Sequence, residues 1–230
     1  MKISYLVTCC NEKEELRTLL AQLTAHIAWH NTGDEIVILQ DDSNVSLENE
    51  DIIKQFTDDF AFVKLYKHKL SGDFGIHKNY GSKLCKNPWI VQADADERFS
   101  SFLLINLADI LEANPTVELF RVPRVNIVHG ATQADAIKWG WHMSTLPEFG
   151  DAPIINWENS GDYQSRIYRN LSKIHWHKPL HETITGHEVS SAFPREVDFA
   201  IIHEKTLARQ TAQNEFYNRN WSSAANMGQG

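Results

Sequence analysis

Short apolar runs alternate with amphipathic segments of helical period through the first hundred residues, and this alternation restricts the fold more than any other feature. The predicted strands cover residues 3–8, 35–39, 61–66 and 89–93. The first predicted helix begins after Asn11, an N-cap with Glu14 three residues on. Two more predicted helices cover residues 47–56 and 76–85. Such an order favours parallel strands joined by right-handed crossovers, so we expect an α/β fold with an open sheet.

The second half is less regular. We predict a helix at 101–111, one or two strands in 117–128, strands at 163–169 and 197–202, and a terminal helix at 205–225. Residues 129–161 form a long polar and aromatic stretch without clear periodicity, which is typical of a functional or mobile loop. Because no linker-like composition separates the halves, residues 1–230 are interpreted as one domain.

Charge and cysteine content narrow the function classes. Thirty acidic against 22 basic residues give a net charge of -8, which disfavours a surface that grips nucleic acid throughout. The exception is residues 64–86, which contain six lysines and one aspartate. This basic segment is either a solvated surface or a binding site for a phosphate-bearing ligand. Three cysteines are too few for a disulfide framework, and no apolar run can span a bilayer. We expect a cytoplasmic protein, with peripheral membrane contact left open.

The fourth predicted strand runs directly into three acids, Asp94, Asp96 and Glu97. Carboxylates at i and i+2 beyond a strand can converge on one hard cation, Mg²⁺ or Mn²⁺, although they can also cap or solvate the strand end. Glu97 is expected to face the following helix, near its positive end. In open α/β sheets ligands bind beyond the carboxyl ends of strands, where residues 8–11 and 41–42 also fall.

Four ordered motifs carry a resemblance to a known family: residues 5–12 (YLVTCCNE), 37–43 (VILQDDS), 77–81 (HKNYG) and 94–97 (DADE). They resemble the motifs of family 2 glycosyltransferases, which have the GT-A fold. The DADE form, the His181-Glu182 pair and His203 resemble the bacterial and phage branch related to lipopolysaccharide-core glucosyltransferases. The likeness is good from residue 3 to about residue 100 and patchy beyond.

The resemblance implies a nucleotide-sugar-binding half, residues 1–100, and an acceptor-binding half, residues 101–230. It places the donor against Thr8, Cys9, Asn11, Glu12, Asp41, Lys78, Asp94 and Ala95. Asp94 and Asp96 form the metal-binding DxD for Mn²⁺ or Mg²⁺, and His203 returns to the metal from the second half unless it is a structural histidine. Asn44 and Lys78 depart from the residues common in the family, which leaves the contacts with the donor base open.

Glu182 is the preferred general base because an inverting transfer needs one carboxylate within reach of the attacking hydroxyl. Asp162 and Asp151 are the alternatives. A salt bridge from Glu182 to Arg166 or Arg169 is an equally simple interpretation. A zinc site formed by His175, His177 and His181 is a weaker alternative, since the DxD already explains a hard metal better.

We therefore expect a metal-dependent inverting glycosyltransferase that uses a nucleoside diphosphate sugar, with UDP as the favoured nucleotide. The expected acceptor is a glycan such as a lipopolysaccharide-core sugar; a protein side chain or a hydroxymethylated base of phage DNA stays open. A nucleotidyltransferase ranks lower because the Gly-rich signature and the activating lysine near residue 10 are absent. A non-catalytic sugar- or nucleotide-binding module is the alternative outside enzymes, and the sequence leaves the oligomeric state open.

Overall fold

The computed structural model describes residues 1–43, 47–158 and 162–220. The first half alternates strands and helices as predicted. Its elements are β1 (Ile3–Cys9), α1 (Lys13–His30), β2 (Glu35–Gln40), α2 (Leu47–Asp59), β3 (Val63–Lys67), α3 (Phe74–Leu84) and β4 (Trp89–Asp94). The strands lie in the order β3-β2-β1-β4, and each neighbouring pair is parallel. The predicted α/β class is therefore confirmed.

The second half extends the same sheet with strands of both directions. Its elements are β5 (Glu97–Phe99), α4 (Ser101–Ala113), β6 (Leu119–His129), α5 (Gln133–Trp139), β7 (Met143–Ser144), β8 (Ile154–Ile155), β9 (Asp162–Arg169), β10 (His175–His177), β11 (Thr183–Thr185), β12 (Ser190–Ala192), β13 (Ile201–Thr206) and α6 (Leu207–Asn220). The main sheet continues β4-β9-β6-β13-β5, and β10 pairs only with β11 in a separate hairpin.

The direction of β9 determines where the second half meets the first. β9 is antiparallel to both β4 and β6, and β13 is parallel to β6. Strands β1, β2, β4, β6 and β13 consequently all end at the same edge of the sheet. The start of β9 lies at this edge too, so both halves of the chain contribute side chains to one crevice.

Each face of the sheet has its own apolar core. Helices α1 and α4 cover one face with fully buried leucines, among them Leu16, Leu20 and Leu107, packed on Tyr5 and Trp89. On the other face, the hairpin and α3 pack over a smaller cluster. The alternation along β2 explains the division, because Ile36 and Ile38 belong to the first cluster and Val37 and Leu39 to the second.

Two predicted element boundaries and one predicted irregular stretch were wrong. Helix α1 begins at Lys13 without a side-chain cap; the Glu12 carboxylate instead accepts the amide N–H groups of Cys10 and Asn11 at 2.7 and 3.1 Å. The predicted strand at 197–202 begins only at Ile201, after a 3₁₀ turn. The stretch called irregular contains α5, whose Thr132 and Asp135 form a capping box. Asn44 and the predicted helix end at 221–225 lie outside the described residues.

Of the helices within the described ranges, none is long and apolar enough to cross a membrane.

Gly81 lets α3 approach the sheet closely. A Cβ atom at Gly81 would lie 2.7 Å from Leu6 Cδ1 and 3.0 Å from Leu39 Cδ2. Both leucines are fully buried, so neither has room to move away.

We predict that Gly81→Ala lowers the free energy of unfolding by about 1–2 kcal/mol, because overpacking outweighs the gain in helix propensity. Urea denaturation measures the change. Ser101→Ala, at the exposed first residue of α4, is the control and is expected to lie within about 0.5 kcal/mol of wild type. Equal or greater stability of Gly81→Ala would contradict this account of the contact.

Candidate active site

Backbone hydrogen bonds join three loops at the carboxyl edge of the sheet. The amide of Ala95 donates to the carbonyl of Thr8 at 3.0 Å, and the amide of Asp41 donates to the carbonyl of Cys9 at 2.8 Å. The ends of β1, β2 and β4 are thereby held side by side. The predicted donor-binding residues Thr8, Cys9, Asp41 and Ala95 lie together at this edge.

Asp94 contacts four side chains at this edge. Thr8 Oγ1 and Gln92 Nε2 donate to its Oδ1 at 2.8 and 2.9 Å, and Lys78 Nζ lies 3.3 Å from the same oxygen. Arg166 Nη2 donates to Oδ2 at 2.6 Å. Burial alone would raise the pKa of Asp94, but Arg166 and Lys78 hold it well below its usual value. Asp94 is therefore an ionised carboxylate already neutralised by two cations.

Arg166 is buried, with 4% of its side chain exposed, and links β9 to β4. Besides Asp94, its guanidinium donates to Glu97 Oε1 at 2.6 Å and to Gln92 Oε1. Glu97 is fully buried and also pairs with Arg124. The expectation that Glu97 faces the next helix was wrong, because residues 97–99 form β5 and direct its carboxylate into this cluster.

Asp96 and His203 come together from opposite halves of the chain. His203 Nε2 lies 3.2 Å from Asp96 Oδ2, and Arg209 Nη2 lies 3.7 Å from the same oxygen. Despite burial, the hydrogen bond and charge of His203 lower the pKa of Asp96 to about 2. Arg209 also pairs with Glu12, 3.4 Å away, and with Glu15. Asp96 thus lies between a ring nitrogen and a guanidinium.

A chain of hydrogen bonds orients the His203 ring. His203 Nδ1 lies 2.9 Å from Asn126 Oδ1, and Asn126 Nδ2 donates to Asp162 Oδ2 at 2.9 Å. Asp162 receives two further bonds from Arg124, at 2.6 and 2.8 Å. Since Asp162 accepts from the amide nitrogen, the amide oxygen faces His203 and accepts from Nδ1–H. Nε2 is then the nitrogen that faces Asp96.

Helix α6 presents one face to the crevice. Arg209, Gln213 and Tyr217 are spaced four residues apart, and Gln213 bonds both Lys205 Nζ and Tyr217 Oη at 2.9 Å. Burial and the carboxylates Asp94 and Glu182 raise the pKa of Tyr217 to about 12. Burial lowers the pKa of Lys205 to about 8.

Glu182 lies beside Lys78, one of the predicted donor-binding residues. Lys78 Nζ donates to Glu182 Oε1 at 2.5 Å, and both side chains are largely buried, with 3% and 14% exposed. The expected salt bridge to Arg166 or Arg169 was wrong; Arg169 lies over the ring of Trp89. Burial raises the pKa of Glu182, but the charge and hydrogen bond of Lys78 lower it by more, so the net shift of the pKa is downward. Glu182 is an ionised carboxylate at neutral pH.

The remaining candidates are more peripheral. Asp41 is nearly buried, and its Oδ1 accepts hydrogen bonds from Ser43 and from the Leu70 amide. Asn11 and Asp151 are exposed. Within the described ranges, no three His, Cys, Asp or Glu side chains are arranged to hold a metal ion by themselves. The alternative zinc site at the β10–β11 hairpin is therefore not formed.

Sequence reasoning missed several residues of this cluster: Gln92, Arg124, Asn126, Arg166 and Arg209. Three of them carried a signal, because a polar residue on the buried face of an apolar strand needs a partner. Gln92 lies two residues after Ile90 in β4 and shares its face of the strand, Asn126 stands between Val125 and Ile127 in β6, and Arg166 precedes Ile167 in β9. Arg209 lies on a mostly polar helix and carried no comparable signal.

A sequence profile of the family described as Glycosyl transferase family 2 matches residues 4–174, about three quarters of the chain. The match contains β1–β4, the two aspartates and Arg166. This chain belongs to glycosyl transferase family 2. No curated protein matches it in sequence.

Solved structures show the same fold. The structure of S. aureus TarS 1-349 is 15% identical with a TM-score of 0.58, covering 95% of this chain and 63% of that one. The complex of S. aureus TarS 1-349 with UDP-GlcNAc is 17% identical with a TM-score of 0.60, covering 89% and 59%. At this identity the likeness establishes the fold, and the chain spans less than two thirds of the TarS fragment.

We predict that Arg166→Met lowers the free energy of unfolding by about 3–5 kcal/mol, because it leaves Asp94 and Glu97 without their shared cation. Chemical denaturation measures the loss. Arg98→Met is the matched control, since Arg98 pairs with Glu204 at a surface where both side chains are 37% exposed. Its loss is expected to stay below about 1 kcal/mol. Equal losses in both variants would refute the role assigned to Arg166.

We also predict acid sensitivity from Asp96. Its pKa is about 2 in the folded protein against an ordinary 3.8, so its stabilising contribution is complete above pH 4 and is lost as the pH falls towards 2. Urea denaturation at several pH values measures this, and Asp96→Asn is expected to give a shallower decline across that window. An unchanged slope in the variant would contradict the prediction.

Proposed function

We propose that this protein is a metal-dependent inverting glycosyltransferase that moves a sugar from a UDP-sugar to a hydroxyl of a glycan. Family membership supports the reaction class. The observation that carries the metal dependence is the approach of His203 Nε2 to Asp96 Oδ2 at the carboxyl edge of the sheet. UDP is favoured because a TarS structure with this fold contains UDP-GlcNAc.

The residues present fit a hard divalent cation. Mg²⁺ and Mn²⁺ at nucleotide sites are usually held by one or two protein carboxylates, with substrate phosphates and water completing the shell. Asp96 and His203 would hold the ion, and Asn126 fixes the His203 ring by its other nitrogen, as is usual for metal-binding histidines. Asp94 belongs to the same DxD, but its oxygens are already bonded by Arg166 and Lys78. We assign Asp94 to orienting Thr8 and Lys78 towards the donor.

The charge of the crevice supports the same conclusion. Among the described residues, two sets of ion pairs meet at the crevice, joined by the hydrogen bonds of Asn126 and His203. Together they contain seven carboxylates and four Lys or Arg side chains: Glu12, Glu15, Asp94, Asp96, Glu97, Asp162 and Glu182 against Lys78, Arg124, Arg166 and Arg209. The excess is negative. A diphosphate, itself anionic, would meet repulsion here unless a cation accompanied it.

The bound ion would neutralise the charge that develops on the departing diphosphate. The chain's own groups do the rest. Lys78 and Arg209 lie on either side of the two aspartates and provide further positive charge for the donor phosphates. Glu182 is ionised, as a general base must be, and we propose that it accepts the proton of the attacking hydroxyl. Asp162 is the poorer base because Arg124, Asn126 and Gln164 occupy its oxygens.

For the acceptor we propose a lipopolysaccharide-core sugar or a related glycan, on the strength of the DADE motif, the His181-Glu182 pair and His203. The net charge of -8 disfavours DNA as acceptor. The described cysteines are all free, which supports a reducing, cytoplasmic location. Acceptor trials with core oligosaccharides, peptides and hydroxymethylated DNA would distinguish these acceptor classes.

The test is release of UDP from UDP-glucose and UDP-GlcNAc in the presence of Mn²⁺. Wild type is expected to turn over one of them, and EDTA, Asp96→Asn or His203→Ala to lower the rate by about 100-fold or more. Asp109→Asn, on the exposed face of α4, is the control and keeps the wild-type rate. Full activity in EDTA would refute metal dependence, and turnover of neither sugar nucleotide would refute the donor.

Binding is tested separately by thermal denaturation. Mn²⁺ with UDP at about 100 times the dissociation constant adds about 2.7 kcal/mol to the free energy of unfolding, because the ligands bind only the folded state. We expect Asp96→Asn to abolish this increment while Asp109→Asn keeps it.

A further inference from the structure

The β10–β11 hairpin carries Glu182 but belongs to a different sheet from the rest of the site. Residues 175–177 and 183–185 pair with each other in a two-stranded sheet of their own. The connecting residues 178–182 include Lys178 and His181 at φ angles of 79° and 51°, which non-glycine residues rarely adopt. Within the described residues no strand of the main sheet pairs with this hairpin, so the position of Glu182 depends on other contacts.

Much of this contact comes from one stripe of α3, and the Phe74 amide at the start of the helix also donates to the Pro179 carbonyl at 3.0 Å. Gly75, Lys78, Asn79 and Ser82 are spaced i, i+3, i+4 and i+7, which places them on one face of the helix. Asn79 holds the backbone of Trp176 at two points: its Nδ2 donates to the carbonyl and its Oδ1 accepts the amide, both at 2.8 Å. This copies the pairing that a neighbouring strand would provide.

The other members of the stripe complete the contact. A Cβ atom at Gly75 would lie 2.7 Å from the Lys178 carbonyl oxygen, so only glycine permits this approach. Lys78 Nζ lies 4.8 Å from the Trp176 ring centre as well as against Glu182. Ser82 Oγ is 2.8 Å from Tyr168 Oη, which accepts the Trp176 indole N–H at 3.0 Å.

We infer that Gly75 and Asn79 are positioning residues for Glu182: they dock the hairpin on α3 so that the carboxylate lies beside Lys78. The inference rests on the proposed role of Glu182 as general base. Helix α3 would then align the acceptor side with the donor side, since Lys78 contacts both Glu182 and Asp94. A misplacement of about 1 Å at a reacting group can cost up to about 10²-fold in rate.

The first measurement is independent of any substrate. Amide hydrogen exchange of residues 175–185 is expected to be at least about tenfold faster in Asn79→Ala and in Gly75→Ala than in wild type, with β1 and β4 unchanged. Ile76→Ala, on the exposed side of the same helix, is the control and leaves the exchange rates as they are. Wild-type exchange of the hairpin in both Asn79→Ala and Gly75→Ala would overturn the inference.

The second measurement is a double-mutant cycle on the release of UDP from the UDP-sugar that wild type turns over, with Mn²⁺ present. We expect Gly75→Ala and Asn79→Ala to lower kcat by about 10- to 100-fold with the donor KM changed less than about twofold. In a Glu182→Gln background the same substitutions lower kcat by less than about twofold, because they act through Glu182.

The outcomes separate the two claims. Independent, multiplicative losses in the cycle would overturn the positioning role even if the hairpin loosens. A Glu182→Gln enzyme with wild-type kcat would overturn the base assignment in the proposed function, whereas the exchange rates would still decide whether α3 docks the hairpin.

Discussion

The buried guanidinium of Arg166 is the interaction on which the site depends. It spans β9 and β4 and bonds Asp94, Glu97 and Gln92, and so offsets part of the cost of burying these three polar groups. Removing charges from water is costly, and only close pairing with good geometry offsets the cost. Arg166 therefore keeps Asp94 ionised and holds it beside Glu97. The position of this edge of the sheet follows from the pairing of two strands rather than from loop conformation.

From this centre the charges alternate outward in both directions. On one side Asp94 and Lys78 lead to Glu182, and on the other Arg124, Asp162 and Asn126 lead to His203 and Asp96. Every link joins side chains from different elements, so the network depends on how these strands, helices and loops pack together. Such a network orients each functional group before any ligand arrives, which is the condition for electrostatic stabilisation of a transition state.

How much of this could be predicted differs between the two halves. The first half could be predicted because its strands are continuous apolar runs and its helices carry a period of 3.6, as in residues 16–27. The aspartates at 94 and 96 stood out because acids rarely interrupt such a run. The position of β9 between β4 and β6 could not be predicted from the sequence, since its pairing with β4 joins residues more than seventy positions apart in the chain. Without it, Glu97 was expected to face the following helix, although it pairs with Arg124 and Arg166.

The late arrival of β9 has a consequence for synthesis on the ribosome. Until residues 162–169 emerge, β4 is an unpaired edge strand of a four-stranded parallel sheet. Its backbone N–H and C=O groups, and the acids that are later buried, are then exposed. An unpaired margin of this kind invites association with other nascent chains. The growing polypeptide is consequently most prone to aggregation after its first hundred residues have left the exit tunnel and before β9 has emerged.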